Sequence, residues 1–192
     1  AIGVTRTPDA KRNAAGCAAY DAGLDSHSVN RLRLVGDLKY AMGGGQLALA
    51  YQPKLDIAAG RVTSVEALLR WNHPEFGAIA PDDFIPAAEH TGLMRPLTLW
   101  VLGEALAQIR RWEEQGLMLD VAINLSVRNL CAPSFPAEIA AIVAASGLAP
   151  GRLTLEVTES GMMINPTLAG EMLADLGDMG FHIAIDDFGV GY

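Results

Sequence analysis

Strands that are apolar on one face and polar on the other, alternating with helices, leave this chain few ways to fold. In Leu153 to Thr158, Leu153, Leu155 and Val157 share one face and Thr154, Glu156 and Thr158 the other. In Leu119 to Ser126, Val121, Ile123 and Leu125 oppose Ala122, Asn124 and Ser126. Further strands are predicted over Leu47 to Tyr51, ending at Pro53, over Val62 to Trp71, and over Phe181 to Asp187. Between them, helical spacing or helix punctuation marks Pro81 to His90, Leu97 to Gln115, Pro136 to Ser146 and Pro166 to Met179. An earlier helix is predicted from a Ser28 cap through Val29, Leu32, Val35, Leu38 and Met42, stopped by Gly43-Gly44-Gly45. A doubly wound sheet buries both faces and needs both to be apolar. A parallel α/β barrel does not: outward residues meet the helices, and inward ones line a polar lumen.

Charge narrows the partners. Asp and Glu number 22 against 14 Lys and Arg, a formal net charge of −8. That disfavours nucleic-acid polymers and anionic membranes, which call for a basic surface. The segment Leu97 to Ile109 carries Gly103, Glu104 and Gln108 and is too short to span a bilayer. Cys17 and Cys131 have neither metal-like nor redox-like spacing, which fits a reducing, cytoplasmic setting.

The polar residues gather where strands end. Glu66 and Arg70 lie four apart on one face, roughly 13 Å along their strand. Asn124, the pair Glu156 and Glu159, and the pair Asp186 and Asp187 sit at corresponding places in later strands. Taken singly, such acids are ordinary hydrated rim residues, Arg70 a rim cation and Asn124 a turn residue. Five acids packed together repel one another, and burying each costs several kcal/mol. One or two bound cations resolve this. The oxygen-only donor set favours Mg²⁺ or Mn²⁺ over Zn²⁺. Such ions invert the local charge and admit an anion, which points to metal-assisted phosphoester chemistry. His73, His90 and His182 lack ligand spacing and are read as surface or packing residues. Met162, Met163, Met172 and Met179, like Trp71, Trp100 and Trp112, are assigned to the core.

These segments resemble the EAL family of cyclic-di-GMP phosphodiesterases from about Leu47 to Tyr192. The matching motifs are Tyr51-Gln52-Pro53, Glu66-Ala67-Leu68-Leu69-Arg70-Trp71, Pro81 to Glu89, Asn124-Leu125-Ser126, Glu156-Val157-Thr158-Glu159 and Asp186-Asp187-Phe188-Gly189-Val190-Gly191-Tyr192. The resemblance implies a modified triosephosphate-isomerase-type α/β barrel whose first strand is antiparallel. It implies hydrolysis of cyclic-di-GMP to the linear dinucleotide pGpG. Glu66, Asn124, Glu156 and Asp186 match family metal ligands, and Asp187 a ligand shared with a second ion. Glu159 matches an acid that steadies the loop after the Asp-Asp pair. Arg70 matches a side chain that grips a phosphate. Gln52 and Leu68 match the substrate site, with Phe84 expected beside a guanine base. In-line attack by a metal-activated water, with two ions about 3.5–4 Å apart, is the implied mechanism.

Residues 1–27 read as a linker or the end of a GGDEF-like domain, and 28–192 as the N-terminal part of an EAL domain. Family members continue past the position of Tyr192 with strands bearing a Lys, a Glu and a Gln, and eight-stranded barrels typically take about 250 residues. The expectation is therefore an incomplete barrel that hydrolyses cyclic-di-GMP poorly by itself. An open sheet edge also invites pairing with a second copy as a homodimer. A catalytically inactive cyclic-di-GMP sensor and a protein-interaction module are the alternatives, motivated by the absent lysine and the open edge.

Overall fold

A computed structural model describes residues 22–130 and 132–189. Cys17, Cys131, the stretch read as a GGDEF-like remnant up to residue 21, and Val190-Gly191-Tyr192 lie outside the described residues. The strands are β1 (Leu47–Asp56), β2 (Arg61–His73), β3 (Gly77–Ile79), β4 (Asp120–Asn124), β5 (Leu153–Thr158) and β6 (His182–Asp186). The helices are α1 (Ala22–Gly43), α2 (Pro81–Glu89), α3 (Met94–Glu114), α4 (Val127–Leu130), α5 (Phe135–Ser146), α6 (Glu159–Met162) and α7 (Pro166–Asp178). They build one sheet in the order β1-β2-β4-β5-β6, with β3 beside β2.

The first strand runs antiparallel to the second, and β2, β4, β5 and β6 are mutually parallel. Among the described residues the sheet is open, so the arrangement is an α/β barrel wall with an antiparallel first strand. The outward face follows the predicted parity. Val65 and Ala67 of β2, Val121 and Ile123 of β4, and Leu153, Leu155 and Val157 of β5 are buried in one core. Against them pack Leu102, Ala105, Leu106 and Ile109 of α3, spaced for a single helix face. Ile139 and Val143 of α5 and Leu173 and Leu176 of α7 continue that layer. Each of the Val, Leu and Ile side chains contributes roughly 1.5–3 kcal/mol by leaving water, and the alanines less.

A second core joins α1 to the sheet. Leu34, Leu38 and Ala41 of α1 meet Leu47, Trp71, Phe84 and Leu97. At its rim, His73 accepts the Glu75 and Phe76 backbone N–H groups at Nδ1 (3.1 and 3.2 Å). The proton therefore sits on Nε2, which donates to Asp37 at 3.3 Å. Arg33 pairs with Glu75 and lies over the Phe76 ring. The helix passes unbroken through residue 28, where the sequence places a boundary.

Several expectations change. β1 continues past Pro53 to Asp56. Among the described residues it pairs only with β2, so proline's missing N–H costs the ladder little at this edge. α3 starts at Met94, because Pro96 falls in the first turn, where its missing donor is tolerated. The short elements β3, α4 and α6 were not anticipated. Met163 and Met179 are 54% and 40% exposed, not core. Trp71 is buried, whereas Trp100 and Trp112 are half-buried. No helix among the described residues is long and apolar enough to cross a membrane.

Burial also sets an alkaline limit on stability. The Tyr51 ring packs edge-on against Trp112 at 4.9 Å. Burial, helped by the Glu104 charge and opposed by Arg111, pushes its phenol up to about 12. In the unfolded chain it titrates near 10. As pH rises from about 10 to 12 the unfolded chain loses a proton that the folded one keeps, so stability falls over that window. Urea unfolding of the wild type and Tyr51→Phe, at pH 9 and pH 11, checks this. The expected result is a smaller drop in the variant; equal drops refute the assignment.

Candidate functional site

The polar residues of the inward face are set out by strand register. Gln52 of β1 lies opposite Glu66 of β2, and Glu66 opposite Ala122 of β4. Asn124 lies opposite Glu156 of β5, and Thr158 opposite Asp186 of β6. Glu66 is thus one inward row below Asn124 and Glu156, while Asp186 is one row above them. The gap between the two lower rows is bridged directly: Asn124 Nδ2 donates to Glu66 Oε1 at 3.0 Å.

Glu156 is 7% exposed, a charge that needs a partner. Lys54 of β1 supplies it. The ammonium hydrogen-bonds Glu156 Oε1 and lies 3.7 Å from Glu66 Oε2. Burial works to lower the Lys54 pKa, but the Glu156 hydrogen bond and the charges of Glu156 and Glu66 outweigh it and raise the value. The group is therefore a cation held between two acids. The sequence reading missed it because it stopped β1 at Pro53, which left Lys54 without a face. Its signal was parity with Gln52, two residues earlier.

The later acids are arranged differently. Asp186 and Asp187 are exposed, and Asp187 has a positive φ of 54°, a sparsely populated conformation for a residue with a side chain. The Glu159 carboxylate accepts the Gly189 N–H at 2.6 Å, fastening this turn to the start of α6. Thr158 Oγ1 caps α6 by accepting from Gly161 N–H at 3.3 Å, which fixes Glu159 at the helix's first position. Among the described residues, no three Asp, Glu, His or Cys side chains come together closely enough to hold an ion. Glu66, Asn124 and Glu156 converge; Asp186 and Asp187 stand apart from them.

Two clefts open beside Asn124. One of about 150 Å³ is bordered by Leu68, Arg70, Thr98 and Asn124. The other, of about 330 Å³, has Asp82, Glu89, Ser126, Arg128 and Glu156 on its walls. Arg70 is exposed and spends one donor on its neighbour's carbonyl, Leu69 O, at 2.9 Å. Ser126 Oγ donates to Glu89 Oε1 at 2.9 Å. Gln52 is exposed and borders neither cleft. Phe84 corrects an expectation. It is fully buried, edge-on to Trp71 at 5.0 Å, and belongs to the second core rather than a ligand wall. Its place on α2 turns it inward between Trp71 and Leu97. His73 is buried in packing, and His90 and His182 are exposed.

Comparison with known proteins adds an independent line. Residues 35–192 match the family described as EAL domain. A cyclic di-GMP phosphodiesterase of Pseudomonas aeruginosa is 39% identical over 190 residues, covering 98% of this chain and 32% of that protein. A bifunctional diguanylate cyclase/cyclic di-GMP phosphodiesterase of the same organism, MucR, is 38% identical over 178 residues, covering 92% and 26%. The chain thus spans about a third or less of the length of these curated relatives. Among solved structures, the PaMucR phosphodiesterase in complex with c-di-GMP superposes with a TM-score of 0.77 at 41% identity, over 83% of this chain and 65% of that one. The EAL enzyme Bd1971, with cAMP and cyclic-di-GMP bound, gives 0.74 at 28% identity, over 86% and 46%.

Proposed function

This chain belongs to the EAL domain family, and on that premise we propose that it serves the divalent-metal-dependent hydrolysis of cyclic-di-GMP to linear pGpG in the cytoplasm. The observation that carries the reading is the joining of Glu66, Asn124 and Glu156 into one contiguous set on the inward face.

The residues fit a hard cation. Asn124 gives its Nδ2 to Glu66, which leaves its Oδ1 free to ligate. Glu156 Oε1 is engaged by Lys54 and its second oxygen is available. That an ammonium already sits between the two acids shows that a positive charge is favoured there. Glu66, Asn124 and Glu156 would hold Mg²⁺ or Mn²⁺, with Asp186 and Asp187 as further oxygen donors from the adjoining strand end. A cation held by these residues would supply Lewis acidity and would lower the pKa of a water beside it.

The chain's other groups orient the substrate. Arg70, beside Leu68 on the smaller cleft, offers a guanidinium fork for a phosphate oxygen. Gln52 lies level with Glu66 and can donate to the same nucleotide. Glu159 restrains the turn carrying Asp187 through the Gly189 N–H. Water attacks phosphorus, the P–O bond to the 3′ oxygen breaks, one water proton goes to that leaving oxygen and the other to solvent, and the ring opens to a linear dinucleotide with a free 5′ phosphate.

Incubation with cyclic-di-GMP and Mn²⁺, followed by chromatography, tests the reading. Cyclic-di-GMP binding with only slow formation of pGpG is expected with the metal and no pGpG with chelator, and Arg70→Ala is expected to weaken nucleotide binding about tenfold or more. A folded, metal-loaded chain that neither binds nor cleaves cyclic-di-GMP refutes it. The Lys54 contact also suits a sensor that binds without turnover, and binding with no pGpG would select that alternative.

A further inference from the structure

We propose that Lys54 is a built-in competitor for the divalent cation, holding Glu66 and Glu156 together in the metal-free chain and giving up Glu156 when the ion enters. The inference rests on the metal site proposed above, and it assigns that site a threshold.

The geometry gives the argument. Lys54 is bound to one of the two acids and within 3.7 Å of the other, so its ammonium shares the electrostatic minimum that draws a divalent ion. It approaches from a particular side. Since β1 is antiparallel, Lys54 lies opposite Ser64, further from the C-terminal ends of the parallel strands than Gln52 and Glu66. The ammonium therefore reaches the acids from the end of the barrel wall away from Arg70 and Asp186. An ion arriving from the mouth meets one oxygen of Glu156 already engaged and a unit positive charge close behind. Like charges at such separations repel strongly in a partly buried site. Lys54 is also free to leave, for its side chain is 39% exposed and has a long flexible stem.

Two opposite outcomes separate competition from simple scaffolding. If Lys54 only props the acids, removing it disorders them and metal binding weakens. If it competes, removing it frees Glu156 and metal binding tightens. Stability moves the other way, because two acids are left facing each other without a cation.

The test is Mn²⁺ titration calorimetry on the wild-type chain and on Lys54→Met, Lys54→Gln and Lys54→Arg, with melting curves at zero and saturating Mn²⁺. Lys54→Met and Lys54→Gln are expected to bind Mn²⁺ on the order of tenfold more tightly. Their melting temperatures without metal should be several degrees lower, and the gap should close at saturation. Lys54→Arg, which keeps the charge, should bind as the wild type does. Should Lys54→Met not fold without metal, Lys54→Gln carries the test, since its amide can still donate to Glu156. Equal or weaker Mn²⁺ binding by the neutral variants overturns the proposal while leaving the metal site standing. No Mn²⁺ binding by any of the chains overturns the site and the proposal together.

Discussion

Glu156→Gln is expected to lower divalent-cation affinity by at least about a hundredfold, and with it the turnover of cyclic-di-GMP. The size of the effect follows from position. Glu156 is the most buried of the candidate acids, lies opposite Asn124 in the sheet, and holds Lys54. Glutamine keeps the shape and one acceptor for Lys54 but removes the negative charge that a cation needs. The fold should survive. Lys54 retains Glu66 and solvent, so the stability cost of the exchange is about 1 kcal/mol. Calorimetry with Mn²⁺, beside circular dichroism to show an intact fold, measures both. An affinity within twofold of the wild type would remove Glu156 from the ligand set.

Phe84→Ala is expected to do the reverse: a loss of about 3–5 kcal/mol of stability with nucleotide affinity unchanged in the molecules that stay folded. Phe84 is fully enclosed and touches Trp71 edge to face, so truncation leaves a cavity between α2 and β2 that neighbouring side chains fill only partly. Urea unfolding gives the first quantity and calorimetry with cyclic-di-GMP under native conditions the second. A small stability loss with a large affinity loss would return Phe84 to the ligand wall.

These two residues also mark where sequence reading works and where it stops. The inward placement of Glu156 was legible because β5 alternates without interruption, and its observed limits, Leu153–Thr158, are the predicted ones. The core strands β2, β4 and β5 were legible for the same reason: a period of two survives in any sheet. Phe84 was misplaced because α2 is short and two of its residues are proline, so its apolar positions do not announce which face turns inward. Lys54 was invisible for a different reason. Proline usually closes a strand, and whether it does depends on which edge its missing donor faces, a property of pairing and not of local sequence. The short strand β3 depends in the same way on finding Trp71 to Ile79 register partners in space. The convergence of Glu66 and Asn124 follows from a stagger between β2 and β4 that no single strand encodes.

The joint between α1 and the sheet has a mechanical corollary. A helix of 22 residues is a stiff rod about 33 Å long. Its later turns are clamped: Leu38 and Ala41 by the second core, Asp37 by His73, and Arg33 by Glu75. His73 stands on the same strand as Arg70 and Glu66, so the rod and the inward face of the sheet share one rigid member. A torque applied along α1 is delivered through that clamp to β2, the strand that also carries Glu66 and Arg70.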